Sequence, residues 1–68
     1  MKIEYDKEVN AAYIYLIKKI VNGQVNKTIK VNDNIILDFD KNGKLIGMEV
    51  LNAGKILSKE VLLHAQSA

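Results

Sequence analysis

Cysteine, proline, tryptophan and arginine are all missing from this chain of 68 residues, and histidine occurs once. Without cysteine there is no disulfide framework, and no thiolate site for zinc or an iron–sulfur cluster. A small domain must then be held by its packing or by association with another chain. Arginine supplies the planar fork that reads guanine edges and clamps phosphates. All ten basic residues here are lysines, which act as point charges. The net charge of +2 therefore reads as a solvated lysine surface, and nucleic acid is not the expected partner. No apolar run reaches the ~18 residues of a membrane span, and MKIEYDKE has no apolar stretch of signal-peptide type, so a cytoplasmic protein is expected. His64, the lone histidine, reads as a helix-end residue, with no serine–histidine–aspartate set around it.

What is present is a half-apolar composition, 49%, which argues for a folded domain. A chain this short buries only about 60% of the surface its unfolded form exposes, so the core is thin. In the absence of proline, asparagine, aspartate and glycine punctuate the chain. Asn22-Gly23 and Asn42-Gly43 suit two-residue hairpin turns, which need positive φ; Asn32-Asp33-Asn34 and Asp6–Asn10 mark two further reversals. Between them lie β-branched and aromatic runs of period two. They predict strands over residues 2–5, 11–20, 24–31, 35–40 and 44–51. Ser58 is a suitable N-cap for a short helix over 59–66. The expected fold is one α+β domain, a five-stranded antiparallel meander with a short C-terminal helix.

The turns can be checked against one another. The first pairs Ile3 with Ile14 and Tyr5 with Ala12. The second would set Leu16 opposite Ile29 and Ile14 opposite Val31, the third Ile29 opposite Leu37, and the fourth Phe39 opposite Ile46, Leu37 opposite Met48 and Ile35 opposite Val50. Each choice puts one common set of side chains on one face, and a slip by one residue would reverse a whole strand. A single conflict remains, because the second hairpin opposes Lys18 to Lys27 on the core side. The other face carries Tyr13, Tyr15, Ile17, Ile36, Leu45 and Leu51 among charged residues. It is too apolar to be left wholly to water, so it is the expected homodimer contact.

Asp38–Glu49, DFDKNGKLIGME, fits the calcium-loop template at Asp38, Asp40, Asn42, Gly43 and Glu49. Its flanks are strand-like, however, whereas a calcium loop of this type sits between helices. A hairpin places Asp38 and Asp40 outward and leaves Glu49 several residues down the partner strand. No metal site or cofactor is expected, and Asp38, Asp40 and Glu49 are only weak cation candidates. Asp6 and Glu8, which could join these three in a carboxylate pair, have no pocket-forming segment around them for acid–base work. The tyrosines do not form one stacking platform, because Tyr5 falls on the core face and Tyr13 and Tyr15 on the other.

Tyr5-Asp6, the Ala12-Tyr13-Ile14-Tyr15-Leu16 strand, Ile36-Leu37-Asp38-Phe39-Asp40 and the run from Gly43 to Ala53 together resemble the small prokaryotic family called domain of unknown function 2283 (DUF2283). The resemblance extends from Ile3 to Leu57. It departs at Asn10, where an acid is more usual in the family, and at Gly54, where a serine is. The resemblance implies a fold and a prokaryotic setting without an assigned activity. The expected function is thus a non-enzymatic, self-associating protein-interaction module. The alternative is an antitoxin-like or nucleic-acid-associated regulator, by a loose analogy of size and setting.

Overall fold

Four residues with positive φ mark sharp reversals: Asn10 (54°), Gly23 (84°), Gly43 (78°) and Asn52 (57°). Only glycine and asparagine adopt this conformation cheaply, so these positions are where local chemistry dictates the path. The computed structural model describes residues 1–67. Strands β1 (Lys2–Asp6), β2 (Ala11–Tyr15), β3 (Lys27–Lys30), β4 (Ile35–Phe39) and β5 (Leu45–Leu51) are followed by helices α1 (Ala53–Ile56) and α2 (Lys59–Leu63) and a two-residue strand β6 (Gln66–Ser67). They form one six-stranded sheet in the order β3-β4-β5-β2-β1-β6.

Three of the four expected registers are present. Ile3 faces Ile14 and Tyr5 faces Ala12; Ile29 faces Leu37; Leu37 faces Met48 and Ile35 faces Val50. The second hairpin is not. Val21 and Gln24 close a turn around Asn22-Gly23, but β2 stops at Tyr15 and pairs with β5 instead of β3. The sheet is therefore no meander: the irregular segment 16–26 carries the chain to the far edge, and β3, β4 and β5 return hairpin by hairpin to β2. This is a Greek-key order. Its physical reason is visible in the lysines. The hairpin would have opposed Lys18 to Lys27 on the core side, whereas β3, with the sequence KTIK, now forms an exposed edge.

The β4–β5 turn holds a second correction. It is a three-residue loop, Lys41–Gly43, closed by the Asp40 amide donating to the Lys44 carbonyl and the Gly43 amide to the Asp40 carbonyl. Phe39 consequently faces Leu45 rather than Ile46, and a bulge between there and the Asp38–Gly47 pair restores the expected register by Leu37. The longer turn and the bulge each shift the pairing by one residue, and they cancel.

The helical region also differs. After Asn52 the chain makes one turn of helix, α1, in addition to the expected C-terminal helix. Ser58 caps α2 as expected, its Oγ accepting from the Val61 amide at 3.2 Å. The helix ends at Leu63, not at residue 66, because Gln66 and Ser67 pair in parallel with Glu4 and Tyr5 along the free edge of β1. The open edge offers backbone partners that one more helical turn would have forgone.

The core lies between the helices and one side of the central strands. Ala12, Ile14, Val50 and Ala53 are buried, with Ile3, Tyr5, Met48 and Leu57 packed against them. No helix among the described residues is long and apolar enough to cross a membrane.

Candidate functional site

The side of the sheet away from the helices is organised by two tyrosines on β2. Alternation along the strand sends Ala12 and Ile14 into the core and Tyr13 and Tyr15 to the other side. Tyr13 is opposite Glu49 and Tyr15 opposite Gly47. The Tyr13 ring leans diagonally across Gly47, and its hydroxyl donates to Oδ2 of Asp38 on β4. Oδ1 of the same carboxylate accepts from the Thr28 hydroxyl of β3 at 2.7 Å. In the other direction, the Tyr15 hydroxyl donates to Glu4 Oε1 on β1 at 2.8 Å, and the Lys2 ammonium lies 4.5 Å above the Tyr15 ring. The two rings meet at 4.8 Å, tilted by 55°. One polar ladder thus spans β3, β4, β5, β2 and β1.

Burial, followed by the Asp38 carboxylate that takes its hydrogen bond, raises the Tyr13 hydroxyl far above its ordinary pKa of 10.0. Tyr15 is raised chiefly by its bond to Glu4, with burial second. Both effects make the folded chain hold these protons longer than the unfolded one. Their contribution to stability is complete below about pH 10 and is lost progressively as the pH rises above it. In an ultraviolet tyrosinate titration, Tyr13 and Tyr15 should lag behind the urea-unfolded chain. All three tyrosines titrating together with the unfolded chain would contradict the ladder.

The expected contact residues are only partly brought together. Tyr13, Tyr15 and Ile36 are half-buried on this side, and Leu51, at the end of β5, lies diagonal to Ile36. Ile17 lies beyond the end of β2, in the irregular segment. Leu45 pairs with Phe39 at the bulge that opens β5 and is 38% exposed. The calcium-template residues are also dispersed. Asp38 is engaged by Tyr13 and Thr28, whereas Asp40 Oδ1 accepts the Asn42 and Lys44 amides, both at 2.9 Å, and so shapes the turn. Glu49 stands opposite Ile36 and Tyr13. No group of three metal-ligating side chains converges among the described residues. His64 is exposed at the C-terminal end of α2, beside an open groove of about 500 Å³ lined by Met1, Lys2, Ile3, Glu60, Val61 and Gln66.

A second polar cluster, with no counterpart among the residues expected from the sequence, centres on Asn10. Asn10, in the left-handed conformation, accepts the Tyr5 hydroxyl (2.9 Å) and the Gly54 amide (2.8 Å) at Oδ1. Its Nδ2 donates to Asn52 Oδ1 at 3.1 Å, and its carbonyl accepts from the Ala53 amide at 2.9 Å. This clamp fastens the β1–β2 turn to the start of α1. Two signals pointed to these features: a lone glycine inside a strand, Gly47, marks a close approach, and an asparagine ending a turn suits positive φ.

The segment from β1 to the start of α1 holds the ladder and most of the clamp. The same segment, residues 2–53, matches the family model described as protein of unknown function, DUF2283. The chain belongs to DUF2283. The resemblance to this family is thereby confirmed; in this chain the tyrosine–aspartate pair ends β1, ILDFD lies in β4 and the residue after it and holds the ladder's Asp38, and GKLIGMEVLNA contains β5 with Gly47. Over 58 residues the chain is 36% identical to an uncharacterized protein of Methanocaldococcus jannaschii, covering 85% of this chain and 46% of that protein. It spans less than half of that relative's length. No solved structure matches the chain.

Proposed function

We propose that this DUF2283 protein is a non-enzymatic interaction module that associates with itself. The observation that carries this reading is its surface. The chain exposes 4994 Å², whereas a folded monomer of its mass exposes roughly 4,300 Å². The excess of about 700 Å² is close to the ~800 Å² that each partner contributes to a standard protein–protein interface. The non-enzymatic half of the reading is supported by the carboxylates of the outer ladder. Asp38 and Glu4 are occupied by tyrosyl and threonyl hydroxyls, which leaves them as structural acceptors. The same acidic side, with Glu49, disfavours a nucleic-acid backbone as partner.

Multi-angle light scattering at tens of micromolar should return about twice the 7.6 kDa chain mass. A mass of one chain, unchanged up to ~0.5 mM, would remove the proposal, since a standard-sized interface normally binds tighter than that. A duplex-binding assay at low salt is the matching test of the regulator reading, because backbone binding weakens steeply as salt rises.

A further inference from the structure

A row of cross-strand partners, Ile29–Leu37–Met48–Ile14–Ile3, crosses the sheet on the helix side. The row beside it runs Ile35–Val50–Ala12–Tyr5. The helical layer covers only one end of these rows, since α1 packs on β2 and β5. Exposure follows the cover: Val50 and Ile14 are 1% and 8% exposed, whereas Ile29 and Val31 at the other end are 39% and 55% exposed. Ile35, Leu37 and Phe39 of β4 lie half-buried between them. The rows continue as apolar residues past the point where the helices stop, and although Ile46 beside them is 2% exposed, their β3 end is left without a cover.

We infer that a second copy of this chain covers that end, packing the helix-side surface of β3 and β4 against the same surface of its partner about a two-fold axis. The inference rests on the self-association proposed above and names the surface that makes it. Three observations select a second copy. The chain as a whole exposes about 700 Å² more than a folded monomer of its mass, of the order of one partner's share of an interface. The surface is also self-complementary in charge. Lys27 and Lys41 border it beside Phe39, where with Asp40 they line a shallow recess, and Asp33, its side chain 99% exposed and 3.8 Å from the Lys30 ammonium on the turn's own strand, stands at its opposite end in the turn after Val31. A two-fold axis perpendicular to the strands sets the lysine end of each copy over Asp33 of the other, so the contact is isologous and both charge pairings form at once. Third, the opposite side of the sheet satisfies its own polar groups through the tyrosine ladder, whereas apolar Ile29 and Val31 have no such recourse.

The test is the association constant of Ile29→Glu and Leu51→Glu variants, measured by sedimentation equilibrium beside the unaltered chain. Ile29→Glu should weaken self-association by roughly 30-fold or more, the effect of losing a central anchor, and Leu51→Glu should leave it within about three-fold. A dimer that survives Ile29→Glu but dissociates with Leu51→Glu would overturn the surface and leave self-association standing. A monomeric unaltered chain would overturn both, and would point to a different protein as the cover. A second measurement does not depend on the fold of Ile29→Glu. The chain has no cysteine, so Asn42→Cys carries a single nitroxide label. Mixed with isotopically labelled, unaltered chain, it should broaden the partner's Asn32–Asn34 amides. Broadening of Tyr13 and Gly47 instead would overturn the assignment.

Discussion

Replacing Gly47 by alanine should lower stability by about 2–3 kcal/mol, a fall in melting temperature of roughly 10–20 °C for a domain of this size. A Cβ at this position would lie 2.7 Å from Cζ and 2.8 Å from Cε1 of Tyr13, and closer still to its hydroxyl oxygen. Gly47 has no backbone strain to relieve, and the cost comes from the ring alone. The ring must swing off β5, and when it moves the Tyr13 hydroxyl leaves Asp38, whose Oδ2 loses its partner. A hydrogen bond to a charged group is worth ~1.5–3 kcal/mol, and the displaced ring adds lost packing. The account makes a sharper claim in a double-mutant cycle. In a Tyr13→Ala background there is no ring to displace, so Gly47→Ala should then cost about 1 kcal/mol or less. Equal costs in the two backgrounds would show that Gly47 is required for some other reason.

The second large effect is expected at Asn10. Substitution by alanine should cost about 3 kcal/mol: roughly 1 kcal/mol for holding a Cβ residue in the left-handed conformation, and about 1 kcal/mol for each of the two donors left at Oδ1. Those donors are the Tyr5 hydroxyl and the Gly54 amide, and their loss loosens α1 from the sheet. Asn10→Asp keeps an acceptor in the same place and sacrifices only the bond from Nδ2 to Asn52, so it should cost less than about 1 kcal/mol. Urea unfolding midpoints of the two variants separate these outcomes. Equal losses would mean that Oδ1 is not what matters.

Gly54 follows from the same geometry. A Cβ there would stand 3.1 Å from Asn10 Oδ1 and 3.4 Å from the Tyr5 hydroxyl, a tight but not forbidden fit. Asn10 and Gly54 are thus contacting residues of one clamp, although they lie 44 positions apart in the chain. Nothing local in the sequence ties them together. The ladder was equally hidden: Tyr13 and Asp38 are 25 positions apart, and their bond exists only because β5, with its glycine, lies between β2 and β4.

What the sequence by itself determined were the interactions that close over a few residues. Alternation along each strand decided which side chains enter the core, so Ala12, Ile14, Met48 and Val50 were legible. Asparagine and glycine decided where the chain turns, and Ser58 where α2 begins. The tertiary structure alone decided which strands are neighbours. A hairpin at Asn22-Gly23 satisfied the same alternation as the observed β2–β5 pairing, and period two cannot tell one apolar strand partner from another. The choice fell to long-range terms: two apolar faces suit β2 to the middle of the sheet, and two lysines suit β3 to its edge. The same placement left Ile29 and Val31 beyond the reach of two short helices, and so exposed at the edge of the sheet.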